Sequence, residues 1–226
     1  MFRIFQCSTF WLGLKLELRN MQYTESDEPY ILIANHQSVL DVLTMSYIWP
    51  ENCVMFLKKS LIFLPGFNFC TYLANSIYVN RFNKNDAHKS LEQVTDTILQ
   101  KKRKVWIYPE GTRGSGDELL PFKKGAFIVA SHAKVPIVPV VVTSYKNFYN
   151  LDEFKFDYGG HVIIEALPPI DSTLFEDVNE LAEECRKRMV KAYDRINKEL
   201  GNLPKNISET GVTRSCTNSE TIKKSN

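Results

Sequence analysis

Tyr30-Ile31-Leu32-Ile33-Ala34-Asn35-His36-Gln37-Ser38-Val39-Leu40-Asp41 decides how the rest of the chain is read. Its first five residues are apolar without interruption, the pattern of a short strand buried on both faces. Polar residues follow, and Ser38-Val39-Leu40-Asp41 has the form of a capping box with Asp in place of Glu, so a helix is expected over residues 38–49. His36 then stands on the strand-to-helix turn, and Asp41, in the first helical turn, can point back toward its ring. A carboxylate on one imidazole nitrogen fixes the tautomer and leaves the other nitrogen a competent base near neutral pH. The same two residues also suit a plainer role, Asp41 complementing the helix N-terminus and His36 a satisfied loop histidine.

Outward from this stretch, short apolar runs alternate with helical patterns, which is the arrangement of an α/β domain. Strands are expected at 54–57, 77–79, 105–108, 137–143 and 162–166, and helices at 61–73, 86–102, 125–133 and 175–200. In the last of these, Val178, Leu181, Ala182, Cys185, Met189, Ala192, Tyr193 and Ile196 form one apolar stripe. The expected fold class is therefore α/β, a single domain with a central mixed, mostly parallel sheet flanked by helices. With 226 residues, 44% hydrophobic and 24% charged, the chain has enough material for one sizeable core and is not a disordered or fibrous sequence.

The charge balance, +2, is far from that of a protein living on nucleic-acid phosphates, so nucleic acid is excluded as an expected partner. Five cysteines without paired spacing argue against a disulfide framework and for a reducing compartment. Four histidines, none at i, i+4 spacing to another, give no support for a metal site, and no Gly-x-Ser-x-Gly elbow marks a serine hydrolase. Residues 4–14 are uncharged but too short to span a bilayer, and no cleavage site follows them, so residues 1–20 are expected to be an apolar, membrane-proximal segment. Residues 60–80 also lack charge, yet Pro65-Gly66 and three Asn residues favour a buried or interfacial helix over a span. From residue 201 the composition turns polar, and a disordered tail is expected over 201–226 after a domain over 21–200.

A second constellation, Tyr108-Pro109-Glu110-Gly111-Thr112-Arg113, follows a strand, where α/β folds place ligands. Gly111, the Thr112 hydroxyl and the Arg113 fork suit an anionic oxygen cluster, phosphate above all. Lys123-Lys124-Gly125 then opens a helix and adds charge and free backbone donors, and Arg81, closing Ile77-Tyr78-Val79-Asn80-Arg81, is a further cation at a strand end.

These blocks, in this order, resemble the glycerolipid acyltransferases. His36-x4-Asp41 after Asn35 resembles the family's catalytic block, Ile77 to Arg81 its second, Glu110-Gly111-Thr112-Arg113 its third, and Val135-Pro136-Ile137-Val138-Pro139-Val140 its fourth. Leu120-Pro121-Phe122-Lys123-Lys124-Gly125-Ala126-Phe127 is similar to the lysophosphatidate branch, so the resemblance covers residues 16–169.

The resemblance implies that His36, held by Asp41, takes the proton from the 2-hydroxyl of 1-acyl-sn-glycerol 3-phosphate as it attacks the thioester of acyl-CoA. It implies that Arg81, Glu110, Gly111, Thr112, Arg113 and Lys124 hold the acceptor. Pro136 and Pro139 would shape the acyl-CoA side. No cofactor is implied beyond acyl-CoA as donor, and the expected setting is the endoplasmic reticulum membrane with the domain facing the cytosol. Asn80 stands where the second block usually carries an acidic residue, and few residues precede His36 where this branch usually has membrane helices, which leaves open a shortened form. Acceptors sharing the same chemistry, such as glycerol 3-phosphate or another lysophospholipid, and an inactive lipid-binding form remain alternatives.

Overall fold

The computed structural model describes residues 12–58, 76–79, 92, 94–114, 116–150, 153–202 and 211–215. Ten strands and three helices are bounded as follows: β1 (Lys15–Arg19), β2 (Ile31–Ala34), α1 (Asp41–Ile48), β3 (Cys53–Lys58), β4 (Ile77–Val79), β5 (Lys104–Ile107), α2 (Gly125–Ala133), β6 (Ile137–Val142), β7 (Tyr149–Asn150), β8 (Lys155–Phe156), β9 (His161–Ala166), α3 (Val178–Asn202) and β10 (Gly211–Ser215). Residues 94–99 form a further helical stretch. Eight of the strands make one sheet in the order β10-β1-β9-β6-β2-β5-β3-β4, and β7 and β8 pair by themselves as a small hairpin. Every pairing in the large sheet is parallel except that of β6 with β9. The mixed, mostly parallel sheet expected from the alternation of runs is what forms.

Two cores, one on each face, explain why β2 reads as an unbroken apolar run. Ile31 and Ile33 face one side, with Val105, Ile107, Ile137, Val141, α2, α3 and residues 94 and 98. Leu32 and Ala34 face the other, with Trp106, Val138, Val140, Val142 and the α1 residues Met45 and Ile48. A strand buried on both sides has no solvent face to alternate toward. On α3 the apolar stripe is buried as its spacing predicts, from Leu181 through Cys185, Met189 and Ile196 to Leu200.

The structure departs from the sequence expectations in four places. Regular helix begins at Asp41, not Ser38, because a tight turn over residues 38–40 comes first, with Asp41 N–H donating to the Ser38 carbonyl at 3.3 Å. The Ser38 hydroxyl accepts from Leu40 N–H at 2.9 Å instead of capping further along. Second, Lys15–Arg19, assigned to the membrane-proximal segment, is strand β1 between β9 and β10. Third, Gly211–Ser215, expected to be disordered, pairs in parallel with β1, Val212 opposite Leu16 and Arg214 opposite Leu18. Thr213, Arg214 and Ser215 are exposed, so this edge strand bonds through its backbone and needs no hydrophobic pattern.

Fourth, Pro136 and Pro139 lie away from the strand ends that carry His36. Pro139 sits opposite Ile33 inside the sheet, and Pro136 precedes β6 at the opposite edge, its carbonyl accepting from Ile31 N–H at 3.0 Å. On Pro139, the missing donor faces the bend between β9 and the Ile170 bridge, where a strand tolerates it. Their expected contact with acyl-CoA has no support in these positions. The expected helix at 61–73 lies outside the described residues, as do residues 1–11 and most of the tail. Among the described residues no helix is long and apolar enough to cross a membrane.

Candidate active site

β2 lies between β6 and β5, all three parallel, so the loops leaving their carboxyl ends meet. Asn35 and His36 leave β2, residues 108–114 leave β5, and Thr143 to Tyr145 leave β6. This is the crevice where open parallel sheets place their ligands.

Asn35 makes the first join. Its side chain, 1% exposed, continues the sheet after the backbone turns away, donating to the Val142 carbonyl at 3.0 Å and accepting from Val142 N–H at 2.8 Å. Gln37 adds a second clasp to the same strand end, its amide donating to the carbonyls of Val142 at 3.1 Å and Thr143 at 3.0 Å.

His36 is fixed from four directions. Its Nδ1 lies 2.6 Å from Asp41 Oδ2. Its N–H donates to Glu110 Oε1 at 2.8 Å, and its carbonyl accepts from Gly114 N–H at 2.8 Å. Its ring stacks on Tyr108 with centroids 4.2 Å apart and planes 17° from parallel. Nε2 has no hydrogen-bond partner among the described residues, and with the side chain 23% exposed it is the nitrogen free to act on a ligand.

Asp41 is 3% exposed and satisfied by donors on every side. Oδ2 accepts from Gln37 N–H at 2.8 Å and Ser38 N–H at 2.9 Å as well as facing the imidazole, and Oδ1 accepts from the Tyr145 hydroxyl at 2.8 Å. The capping-box Asp thus takes backbone donors ahead of its helix and orients the histidine at the same time. Tyr145 is completed by the Thr44 hydroxyl at 3.1 Å. Burial and the Asp41 charge push both Tyr145 and Tyr108 well above the usual phenol range, which keeps the Tyr145 hydroxyl protonated as a donor.

Glu110 has a different place from the one its motif suggests. It is 3% exposed, and its two oxygens accept from the N–H groups of His36 and, at 3.0 Å, Leu120. Burial raises its proton affinity while those two donors act against the rise. It ties the His36 loop to the 110–120 loop from beneath and does not face the opening. α3 holds that loop from behind, the Tyr193 hydroxyl donating to the Gly116 carbonyl at 2.6 Å and Arg186 to the Leu119 carbonyl at 3.0 Å.

The outer residues of the same loop are open. Thr112 and Arg113 are exposed, as are Lys123 and Lys124 at the start of α2. Gly111 has φ +69°, and Lys123 lies so close over it that a Cβ there would come within 2.8 Å of the Lys123 ammonium. Only glycine lets this cation lie across the turn. Arg81 lies outside the described residues. Sequence reasoning singled out His36, Asp41, Gly111 and the exposed cations, but it missed Tyr108 and Tyr145 as partners of the pair. Tyr108 carried a signal, since it opens the Glu-Gly-Thr-Arg stretch; Tyr145 carried none.

Residues 15–143 match the acyltransferase family profile. The Caenorhabditis elegans protein acl-1 is 51% identical over 90% of this chain and 77% of its own length. The Escherichia coli 1-acyl-sn-glycerol-3-phosphate acyltransferase is 39% identical over 83% of this chain and 76% of its own. In fold, the crystal structure of the 1-acyl-sn-glycerophosphate acyltransferase of Thermotoga maritima is similar with a TM-score of 0.71 at 22% identity, covering 91% of this chain and 80% of that one. A dyad between parallel strand ends, a profile over more than half the chain and relatives matching along most of its length lead to one conclusion: the chain belongs to the acyltransferase family.

Proposed function

We propose that this chain transfers the acyl group of acyl-CoA to the 2-hydroxyl of 1-acyl-sn-glycerol 3-phosphate, giving phosphatidic acid for phospholipid and triacylglycerol synthesis. The observation that carries the reading is the 2.6 Å contact of His36 Nδ1 with a buried, fully bonded Asp41, which leaves Nε2 toward the opening. In the reaction, Nε2 takes the hydroxyl proton as the oxygen attacks the thioester carbonyl. The tetrahedral adduct then expels the CoA thiolate, and the proton on His36 goes to that sulfur. The acceptor is itself the nucleophile, so no acyl-enzyme forms, and the ring returns to its starting state.

Phosphate recognition is assigned to the exposed fringe of the site: Thr112, Arg113, Lys123, Lys124 and the first N–H groups of α2, with Arg81 joining them on the strength of its motif. Gly111 permits the turn, and Glu110 acts from beneath as a positioning residue. The relatives' names support lysophosphatidate as acceptor. Attachment to the cytosolic face of the endoplasmic reticulum fits amphiphilic substrates that partition into a bilayer.

The test is a panel of lysolipid acceptors and glycerol 3-phosphate offered with labelled acyl-CoA. Lysophosphatidate is expected to be the preferred acceptor, and Arg113→Ala and Arg81→Ala to raise the KM for it roughly tenfold or more while leaving that for acyl-CoA nearly unchanged, since an Arg fork bonds phosphate oxygens in pairs. Preference for an acceptor without a phosphomonoester, or a rise confined to the acyl-CoA KM, contradicts the assignment.

A further inference from the structure

The sheet end that carries His36 also carries most of the exposed apolar side chains. β6 finishes there, β9 starts there in the opposite direction, and the β7–β8 hairpin joins them. β1 enters at the same end, Lys15 N–H donating to the Gly160 carbonyl at 2.8 Å. Six large apolar residues are exposed among the described ones, and four of them, Val39, Phe154, Phe156 and Tyr158, are at this end. Leu99 and Leu174 lie toward the other, before β5 and just after the Ile170 bridge to the start of β6. Three of the four fall within residues 154–158, so the concentration marks the β7–β8 hairpin and the turn that follows it.

Phe154 stands out within it. It is 92% exposed and its backbone has φ 51°, a conformation that a bulky side chain adopts only against strain. Among the described residues no ring contact of Phe154 offsets that strain, which leaves the side chain available to meet something outside. The hairpin's base is firm by contrast: Phe156 meets Phe148 edge-on at 6.4 Å and Tyr149 at 6.1 Å, and Phe148 meets Tyr145, the donor to Asp41, at 6.0 Å. Tyr158 lies against Gly13.

We propose that the hairpin is a bilayer contact, Phe154 and Tyr158 entering the lipid interface with Lys155 at headgroup level, so that the His36 opening is laid against the membrane. The proposal deepens the reading of the site as a lysophosphatidate acyltransferase and rests on it for its purpose. Between Phe154 and Tyr158 stand Lys155 and Asp157, which pair with each other at 3.1 Å. The aromatic rings can therefore enter an apolar interface while the paired charges stay in water, and the aromatics rather than the charges supply the attraction. A second copy of the chain fits less well, since a stable protein interface buries about 800 Å² per partner and so small a set of side chains falls short. The aromatic column from Phe156 to Tyr145 ties the depth of the hairpin to the position of Asp41.

The experiment is co-sedimentation of the full chain with vesicles of phosphatidylcholine and phosphatidic acid. Phe154→Ser is expected to lower the partition coefficient roughly tenfold, a partial loss of the burial of one Phe side chain. Phe154→Trp is expected to hold or raise it. The melting temperature should not fall in either variant, because the side chain touches solvent, and turnover of a short-chain, water-dispersed lysophosphatidate should match wild type. A Phe154→Ser protein that partitions like wild type overturns the proposal, as does one whose oligomeric mass changes while its partition does not. Partition is read without turnover, so a wrong acceptor assignment would appear in the acceptor panel and not here.

Discussion

At the scale of single residues, the site is a set of occupied atoms around one free nitrogen. Asp41 illustrates why the pair was legible and its support was not. His36 and Asp41 fall within one strand-turn-helix, so local spacing brings them together, whereas Tyr145 reaches Oδ1 across 104 positions of sequence and only the β2–β6 pairing makes it a neighbour. Glu110 misled in the opposite sense. A carboxylate in a motif with Thr112 and Arg113 reads as a ligand-facing group, but burial under two backbone donors makes it a clasp. Tyr145→Phe leaves a buried carboxylate oxygen short of one donor, which costs about 1–3 kcal/mol. We expect kcat to fall roughly tenfold with the KM for acyl-CoA little changed, because the lost bond orients Asp41 and touches no substrate. Steady-state kinetics on the folded variant check this, and an unchanged kcat removes Tyr145 from the positioning set.

At the scale of elements, those with strong periodicity were readable and those held by backbone pairing were not. α2 and β4 have the bounds their sequence predicts, and the apolar stripe of α3 is buried as expected. β1 and β10 escaped because only Leu16 and Leu18 in Lys15-Leu16-Glu17-Leu18-Arg19, and only the aliphatic Val212 in Gly211-Val212-Thr213-Arg214-Ser215, carry an apolar signal, and their pairing partners lie far away in sequence. The hairpin of β7 and β8 escaped because each strand is only two residues long. β10 has a specific consequence: Asn20 N–H donates to the Ser215 carbonyl at 3.0 Å. Deleting residues 203–226 should raise the exchange rate of the Asn20 amide at least ~10-fold while leaving the amides of β2 protected, because the sheet opens at that edge alone. Equal protection of Asn20 in both proteins would mean that β10 does not close the edge.

At the scale of the whole molecule, the parallel strands gather the dyad, the cations and the exposed aromatics at one end. The same end holds a titratable group with no part in the chemistry. Burial, with Lys15 nearby, holds His161 below its ordinary value of 6.5, although Glu17 acts against the shift. In the unfolded chain His161 gains a proton as pH falls past 6.5, and in the folded chain it does not until a lower pH. The unfolded state therefore binds more protons in that window, and stability declines as pH drops through it. Urea unfolding of wild type and His161→Phe as a function of pH should show the wild-type decline below 6.5 lessened in the variant; parallel curves would assign the decline to other groups.

The central claim is that His36, oriented by Asp41, is the base for acyl transfer to a lysophosphatidate hydroxyl. The measurement that meets it most directly is the initial rate at which labelled acyl-CoA and lysophosphatidate, both saturating, give labelled phosphatidic acid with wild type and with folded His36→Ala. The account predicts phosphatidic acid from wild type and a rate at least ~10²-fold lower in the variant, the low end of a general-base contribution. Equal rates in the two proteins, or a wild type that hydrolyses acyl-CoA without labelling phosphatidic acid, would contradict it.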